Sequence, residues 1–475
     1  MTRKRRQNPS DQSLDAIRNV LGAKAIIDRE DAAPYLSEWR DRWPGNAAMI
    51  VAPESTDEVA AVVKICAENN IAITPQGGNT GLVGGQIPFG DEVLISLNRM
   101  NSVREIEPLN NTMTVDAGVT LAAAQDAAQQ IERLFPLSIG SEGSCQIGGV
   151  ISTNAGGVNV LRYGNTRDLV LGIEAVLPNG EIFHGLKRLR KDNTGYDLKQ
   201  LFIGGEGTLG IVTGAVLKLF PAPKEKISVF AGVGSAQDAV SLLSFAQGTT
   251  GGSVTSFELL SRQCLDIVLG NIPQTRDPLA EPHPWCVLME FSSAQKSGLR
   301  AVVENTLADA HEQNLLNDAA IADSDAHAAM FWRIRHSMSE AINTQGLGAR
   351  HDVSVATSDI PQFLERADEA VRSIAPSARI VAFGHIGDGN IHYDIIPEEG
   401  AAKTALDDKR EDIQNAVYDV IEKFNGSISA EHGVGRHKRD AIASRKSETE
   451  LALMRAVKNA IDPQGIMNPG KMLQD

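Results

Sequence analysis

Apolar positions along this chain recur at two spacings. Recurrence every three to four residues marks helices, while alternation or short continuous apolar runs mark strands. The spacing predicts a helix over 11–23, with Asp11 or Ser13 as its cap. IVAPESTDEVAAVVKICAENN then reads as strand, turn and helix, with Ser55 or Thr56 capping and Glu58 in the first turn. IAITPQGG returns as a strand that enters a glycine-rich loop. Short strands follow in VLISL, TMTVDAG and ISVF, and on both sides of the hairpin turn Pro178–Asn179–Gly180. Past the composition change at Pro221–Lys226 the helical candidates lengthen, near 234–247, 294–313, 325–345, 404–425 and 441–461. They alternate with strands such as VTSFELL, WCVLMEF and RIVAFG. Neither an internal repeat nor a low-complexity linker is visible.

At 475 residues the chain exceeds the size at which one core stops growing, so at least two domains are expected. An apolar fraction of 42% with 43 glycines describes a folded protein rich in tight turns. The balance of 45 basic against 60 acidic residues, net −15, argues against a nucleic-acid footprint and against anionic membrane surfaces. MTRKRRQNPSD reads as a flexible basic tail: no apolar h-region follows it, and no stretch reads as a membrane span. Cys66, Cys145, Cys264 and Cys286 are scattered without CxxC spacing, which excludes a disulfide scaffold or an iron–sulfur site, and Cys66 falls in the apolar run of a helix. The expectation from these features is a reduced, cytoplasmic protein.

Chemistry concentrates near the end. GHIGDGNIH (384–392) carries two histidines, and SAEHGVGRHKRD (429–440) adds adjacent Glu431 and His432. Histidine and glutamate suit a divalent metal, and a histidine left outside the shell can act as a base. On one straight strand His385 and His392 would face opposite ways. Gly387 and Gly389 argue instead for a tight turn between VAFGH and IHYDII that brings both imidazoles together.

Three glycine loops lie upstream: PQGGNTGLVGG (75–85), PLSIGSEGSCQIGGVISTNAGG (136–157) and DNTGYDLKQLFIGGEGTLGIVT (192–213). Such loops turn backbone N–H groups inward on an anion, and Asn79 and Thr80 offer side-chain donors. Neither GxGxxG nor GxxxxGK[ST] occurs. Three loops within so short a span suggest one long cofactor held along its length.

The chain resembles the FAD-linked oxidases and dehydrogenases of the vanillyl-alcohol oxidase type on PQGGNTGLVGG, IGGVISTNAGG, YGNTRDLVLG and FIGGEGTLGIVT. It resembles their D-2-hydroxy-acid branch on GHIGDGNIH, SAEHGVGRHKRD and DPQGIMNPGK. The resemblance implies an α+β fold: an N-terminal helical segment (1–45), a two-part FAD-binding domain (46–222), an α+β cap with an antiparallel sheet (223–440), and a tail (441–475) returning to the flavin domain. The implied FAD contacts are Pro75, Gly77, Gly78, Asn79, Thr80, Gly81, Leu82 and Gly85 in the first loop. In the second they are Gly140, Ser141, Ser144, Gly148, Gly149, Thr153, Asn154, Gly156 and Gly157. Gly164 follows, then Glu206, Gly207, Gly210, Ile211 and Val212, with Asn468 in the tail. Asn79 stands where covalent members have histidine, which implies noncovalent FAD.

By the same resemblance His385, His392 and Glu431 bind a divalent metal, most suitably zinc, with manganese, cobalt or iron as alternatives. His432 is the base. Arg335 and Arg350 bind carboxylate, Ser339 stands in place of threonine, and Asp394 in place of asparagine. Asp394 adds a negative charge that would repel a second substrate carboxylate unless it is paired. Positions 335 and 339 share a helix face at four-residue spacing, whereas Arg333 is turned about 200° from Arg335. The implied reaction is oxidation of D-2-hydroxyglutarate, D-lactate, glycolate or a related acid. Electrons would pass to a flavoprotein or a quinone-linked carrier, and a homodimer is implied.

Overall fold

The computed structural model describes residues 8–346 and 348–474. The first seven residues of the basic stretch read as a tail lie outside the described residues. The fold is α+β, as expected. Two compact units divide it: the first takes the chain up to Ala155, Asn165–Pro221 and everything from His432 on, and the second takes Gly156–Gly164 and Ala222–Glu431.

In the first unit, strands Met49–Val51, Val93–Ser96 and Ile73–Gln76 run parallel, with Ile26–Ile27 antiparallel at one edge. Helix Thr56–Glu68 starts where the Ser55 hydroxyl accepts the Glu58 N–H at 3.2 Å. Its Val59, Val62, Val63 and Cys66 pack on Val51, Ile73, Val93 and Ile95, the amphipathic stripe of a core-facing helix. The helix predicted at 11–23 runs Asp11–Leu21, but Ser10 caps it, not Asp11 or Ser13. The Ser13 hydroxyl donates back to the Ser10 carbonyl instead.

A far-downstream segment completes this core. Ile466 and Met467 are fully buried in it. The Ile73 N–H donates to the Ile466 carbonyl, and the Asn468 N–H donates to the Ile73 carbonyl, each at 2.8 Å. A five-stranded antiparallel sheet forms the rest of the unit, in the order Val103–Glu107, Thr112–Asp116, Ile211–Lys218, Val170–Val176, Ile182–Gly185. Gly180, with φ 85°, makes the turn between the last two.

The second unit is built on a seven-stranded antiparallel sheet. Its order is Asp318–Ile321, Glu225–Val233, Trp285–Ser293, Val254–Ser261, Arg379–Gly384, Asn390–Ile396, Ala349–Ser354. Helices Arg262–Asn271, Asp325–His336 and Met338–Asn343 pack Cys264, Leu265, Phe331, Ile334 and Met338 against Phe230, Leu260, Leu288, Val381 and Phe383 of the sheet. The expected helix at 325–345 is interrupted. It ends at Ser337, whose N–H donates to the Arg333 carbonyl at 3.0 Å, and restarts at Met338.

All four cysteines are buried and free. Burial pushes the thiols of Cys66 and Cys286 up to about 12 and that of Cys264 higher still. Since the thiolate is the reactive form, native protein at neutral pH is expected to resist iodoacetamide, with four carbamidomethyl groups added only after unfolding. Fast labelling of the native protein, read by intact mass, would show that one of these sites opens.

Candidate active site

Strands Arg379–Gly384 and Asn390–Ile396 form the expected hairpin, with Phe383 opposite His392. One 3₁₀ turn, Ile386–Asp388, links them. Gly389 has φ 87°, and a Cβ there would lie 2.1 Å from the Val355 carbonyl oxygen, so this position demands glycine. Gly387 serves a different need: a Cβ there would meet the Leu161 side chain at 2.9 Å. The turn carries His385 back toward His392, with ring centroids 5.9 Å apart and an edge-on interplanar angle of 74°.

Glu431 reaches both rings. Its Oε2 lies 3.9 Å from His385 Nε2 and its Oε1 3.5 Å from His392 Nε2. The edge strand Ala349–Ser354 contributes Asp352, paired in register with His392. Asp352 Oδ2 accepts the Glu431 N–H at 3.1 Å, and its Oδ1 accepts from Asn390 Nδ2 at 3.0 Å. Asp352, His392 and Glu431 offer ligand atoms within 4.8 Å of one another. This mix of imidazole and carboxylate donors suits a divalent cation. His432, the next residue, begins the segment that returns to the first unit, ahead of the boundary expected at 440/441.

Behind His385 stands Glu258, an acid in the otherwise apolar run VTSFELL. Its Oε1 is 2.7 Å from His385 Nδ1, and its Oε2 accepts from Arg335 Nε at 2.6 Å. Burial alone would raise this carboxyl, but the charges of His385 and Arg335 hold it down at about 2. Burial opposes charge on His385 as well, yet Glu258 beside it raises that imidazole to about 9.

Arg335 is thus buried and engaged through Nε, while its terminal nitrogens make no hydrogen bond among the described residues. Ser339 is exposed where Arg335 is buried, and the helix break at Ser337 lies between them. Arg350 and Asp394 are direct cross-strand partners, with Nε 3.5 Å from Oδ2, and Arg350 also donates to Asn343 Oδ1 at 2.7 Å. The charge on Asp394 is therefore paired.

In the first unit the glycine loops close on one another. A Cβ on Gly78 would fall 1.9 Å from the Ser144 carbonyl oxygen, and one on Gly207 would fall 2.5 Å from Pro75 Cγ. Asn468 Nδ2 donates to the carbonyls of Gly85 and Glu206, at 2.9 and 2.7 Å. First loop, third loop and tail are thereby tied together. Gly148 packs on Ala117, Thr153 Oγ1 donates to the Gly149 carbonyl at 3.2 Å, and Asn154 ends helix Ile147–Thr153 in the left-handed region. Ile211 and Val212 open the strand Ile211–Lys218. Gly156, Gly157 and Gly164 fall in the short segment that belongs to the second unit.

Two of the side chains implied as FAD contacts also hold the fold together. Both Asn79 amide hydrogens go to the carbonyls of Pro34 and Ser37, at 2.8 Å each, so Asn79 braces its loop. The buried carboxyl of Glu206 accepts the N–H groups of Val434 and Gly435, at 2.6 and 2.7 Å, and so pins the turn that follows His432. Burial raises that carboxyl above its ordinary value against the pull of those two donors. The unit also presents open positions: among the described residues nothing lies within 4 Å of a Cβ built on Gly140, Gly143 or Gly149, and buried Gln146 Oε1 and Asn468 Oδ1 have no hydrogen-bond partner. A glycine cradle with unanswered polar atoms fits a polar, phosphate-bearing cofactor.

Sequence reasoning missed Asp352 and Glu258. Only the second left a signal, as a lone charge inside an apolar strand.

Comparison with known proteins identifies the family. Residues 47–185 match the FAD binding domain model, and residues 222–472 match that of the FAD linked oxidases, C-terminal domain. The D-2-hydroxyglutarate–pyruvate transhydrogenase of Saccharomyces cerevisiae is 36% identical over 98% of this chain and 96% of its own. The D-2-hydroxyglutarate dehydrogenase of Xanthomonas citri is 36% identical over 94% and 93%. Among solved structures, p-cresol methylhydroxylase with substrate bound superposes with TM-score 0.76 at 18% identity, over 97% of this chain and 96% of that one. A 4-ethylphenol oxidase from Gulosibacter chungangensis gives 0.72 at 17%, over 99% and 98%. These two establish the fold. The cytoplasmic placement does not stand: relatives from Arabidopsis thaliana, Danio rerio and Bos taurus, 34–35% identical, are named as mitochondrial proteins. Mitochondrial leaders are basic and amphipathic, so the lack of an apolar h-region does not bear on that placement. With its flavin cradle and its antiparallel cap sheet, the chain belongs to the FAD-linked oxidases of the vanillyl-alcohol oxidase type, close to the D-2-hydroxyglutarate and D-lactate dehydrogenases.

Proposed function

We propose that the protein is a metal-assisted, FAD-dependent dehydrogenase that oxidises D-2-hydroxyglutarate or a closely related D-2-hydroxy acid to the 2-oxo acid. The observation that carries this reading is the cluster of His385, His392, Glu431 and Asp352, joined by one peptide bond to His432. FAD supplies the hydride acceptor when bound, and a divalent cation favours charge developing on the substrate hydroxyl. His385, His392 and Glu431 would hold the cation, with Asp352 beside them. Zinc is the best match to borderline nitrogen and oxygen donors. His432 takes the hydroxyl proton.

The two terminal nitrogens of Arg335 receive the C1 carboxylate as a fork. Arg350, with Asp394 neutralised beside it, lies on the neighbouring edge strand for a second carboxylate. FAD is held noncovalently, given Asn79 in place of histidine. Electrons leave for a flavoprotein or a quinone-linked carrier, and the enzyme acts as a homodimer. No described helix is long and apolar enough to cross a membrane.

Anaerobic mixing of the zinc-loaded, FAD-loaded protein with a panel of D- and L-2-hydroxy acids tests this. The D acids are expected to bleach the flavin, D-2-hydroxyglutarate faster than D-lactate, and the L acids to leave it oxidised. Admitting air should then reoxidise the flavin only slowly. Reoxidation within seconds makes the protein an oxidase, and equal rates on the two D acids remove the second carboxylate from recognition.

A further inference from the structure

Glu258 faces two donors with a group that can only accept. Its side chain is 1% exposed, and its two oxygens are divided, Oε1 to His385 Nδ1 and Oε2 to Arg335 Nε. Strand Val254–Ser261 holds it there: Leu259 pairs with Gly384 and Leu260 with Phe383, so the strand ladder fixes Glu258 against the residue that enters the metal-binding turn. Arg335 comes from the last turn of helix Asp325–His336 with its guanidinium carbon 5.2 Å from the Phe383 ring centroid, leaving that plane little freedom.

We infer that Glu258 is a positioning residue that sets the cation-binding histidine and the carboxylate-binding arginine at once, an inference that rests on the functional reading above. Accepting from Nδ1 places the His385 proton on that nitrogen and leaves the Nε2 lone pair directed toward the Glu431 side, where a cation is to be bound. Accepting from Nε orients the guanidinium and leaves its two terminal nitrogens to a substrate carboxylate. One buried carboxylate therefore fixes the spacing between His385, which would hold the cation that polarises the hydroxyl, and Arg335, which would meet the adjacent C1 carboxylate. In a 2-hydroxy acid those two groups are on neighbouring carbons, so their spacing is the feature such a site must reproduce.

Glutamine has the same shape but cannot serve both partners. With its oxygen toward Arg335, its NH₂ faces His385 and selects the tautomer with the proton on Nε2, which cannot ligate. With its oxygen toward His385, its NH₂ opposes the Arg335 N–H. Glu258→Gln is accordingly expected to weaken zinc binding by roughly 10- to 100-fold, the usual effect of losing such a partner, and to raise KM for the acid several-fold in zinc-saturated enzyme. Zinc affinity is read by competition with a chelator, without substrate. Glu258→Asp, which keeps two acceptors and the charge, is expected to recover part of both losses.

Arg335→Met removes only one partner and should raise KM while leaving zinc affinity within about threefold, far less than the loss of a ligand-orienting group. It also carries the test if Glu258→Gln fails to fold. Parent-like zinc affinity and KM in Glu258→Gln, or an unchanged KM in Arg335→Met, overturns the proposal. If the parent itself neither binds zinc nor is reduced by any D-2-hydroxy acid, the functional reading fails instead.

Discussion

His432→Ala is expected to lose flavin reduction by about 10² to 10⁴, the usual contribution of one well-placed base, while retaining FAD and metal. The proposed cation ligands are His385, His392 and Glu431, none of which the substitution removes. The turn after it stays pinned by the Glu206 carboxyl on the Val434 and Gly435 N–H groups. Substrate affinity should therefore change much less than the rate. Rapid mixing under anaerobic conditions reads the reduction step alone. If the variant reduces its flavin at a near-parental rate with saturating acid, the hydroxyl proton leaves by another route and His432 only contacts the carboxylate.

Gly78→Ala is expected to abolish flavin retention through the fold itself. Its Cβ would sit 1.9 Å from the Ser144 carbonyl oxygen and 3.1 Å from Cys145 Cα, both backbone atoms. Overpacking commonly costs about 1–3 kcal/mol, occasionally more, and an obstacle made of backbone places this case at the upper end. Gly149→Ala is the contrast. Among the described residues nothing lies within 4 Å of its Cβ, and it sits within helix Ile147–Thr153, so the variant should fold normally and lose FAD only if the cofactor uses that opening. Thermal unfolding of both apoproteins, beside their flavin absorbance, separates the two cases. A stable, yellow Gly78→Ala protein would show that the two loops do not meet as described.

The hairpin that brings His385 and His392 together was legible because its cause is local: glycines at 387 and 389 between two apolar runs leave a chain few alternatives to a tight turn. Even so, only the structure separates Gly389, which needs its positive φ, from Gly387, which needs the space beside Leu161. Asp352 was not legible. Its strand was not distinguished from a loop in the sequence, and its place opposite His392 is a matter of register. Glu258 acts on a histidine 127 positions away, a pairing that sheet order alone determines. The break at Ser337 carries neither proline nor glycine, so the periodicity ran through it to Ser339, which is exposed. What the sequence withheld was long-range pairing; what it showed was short-range geometry.

The rung that Ile466 and Asn468 make beside Ile73 has a consequence for how the protein comes into being. The strand Ile73–Gln76 waits for its neighbour until Ala222–Glu431 has been made and the chain has come back. The cap unit is closed by residues that emerge earlier, and domains fold as units as they leave the ribosome. During synthesis, then, the flavin unit is the one left with an unfinished core, Val51, Ile73 and Val93 still lacking the cover of Ile466 and Met467. Completion of this core is therefore tied to the tail, and FAD retention is expected to require it.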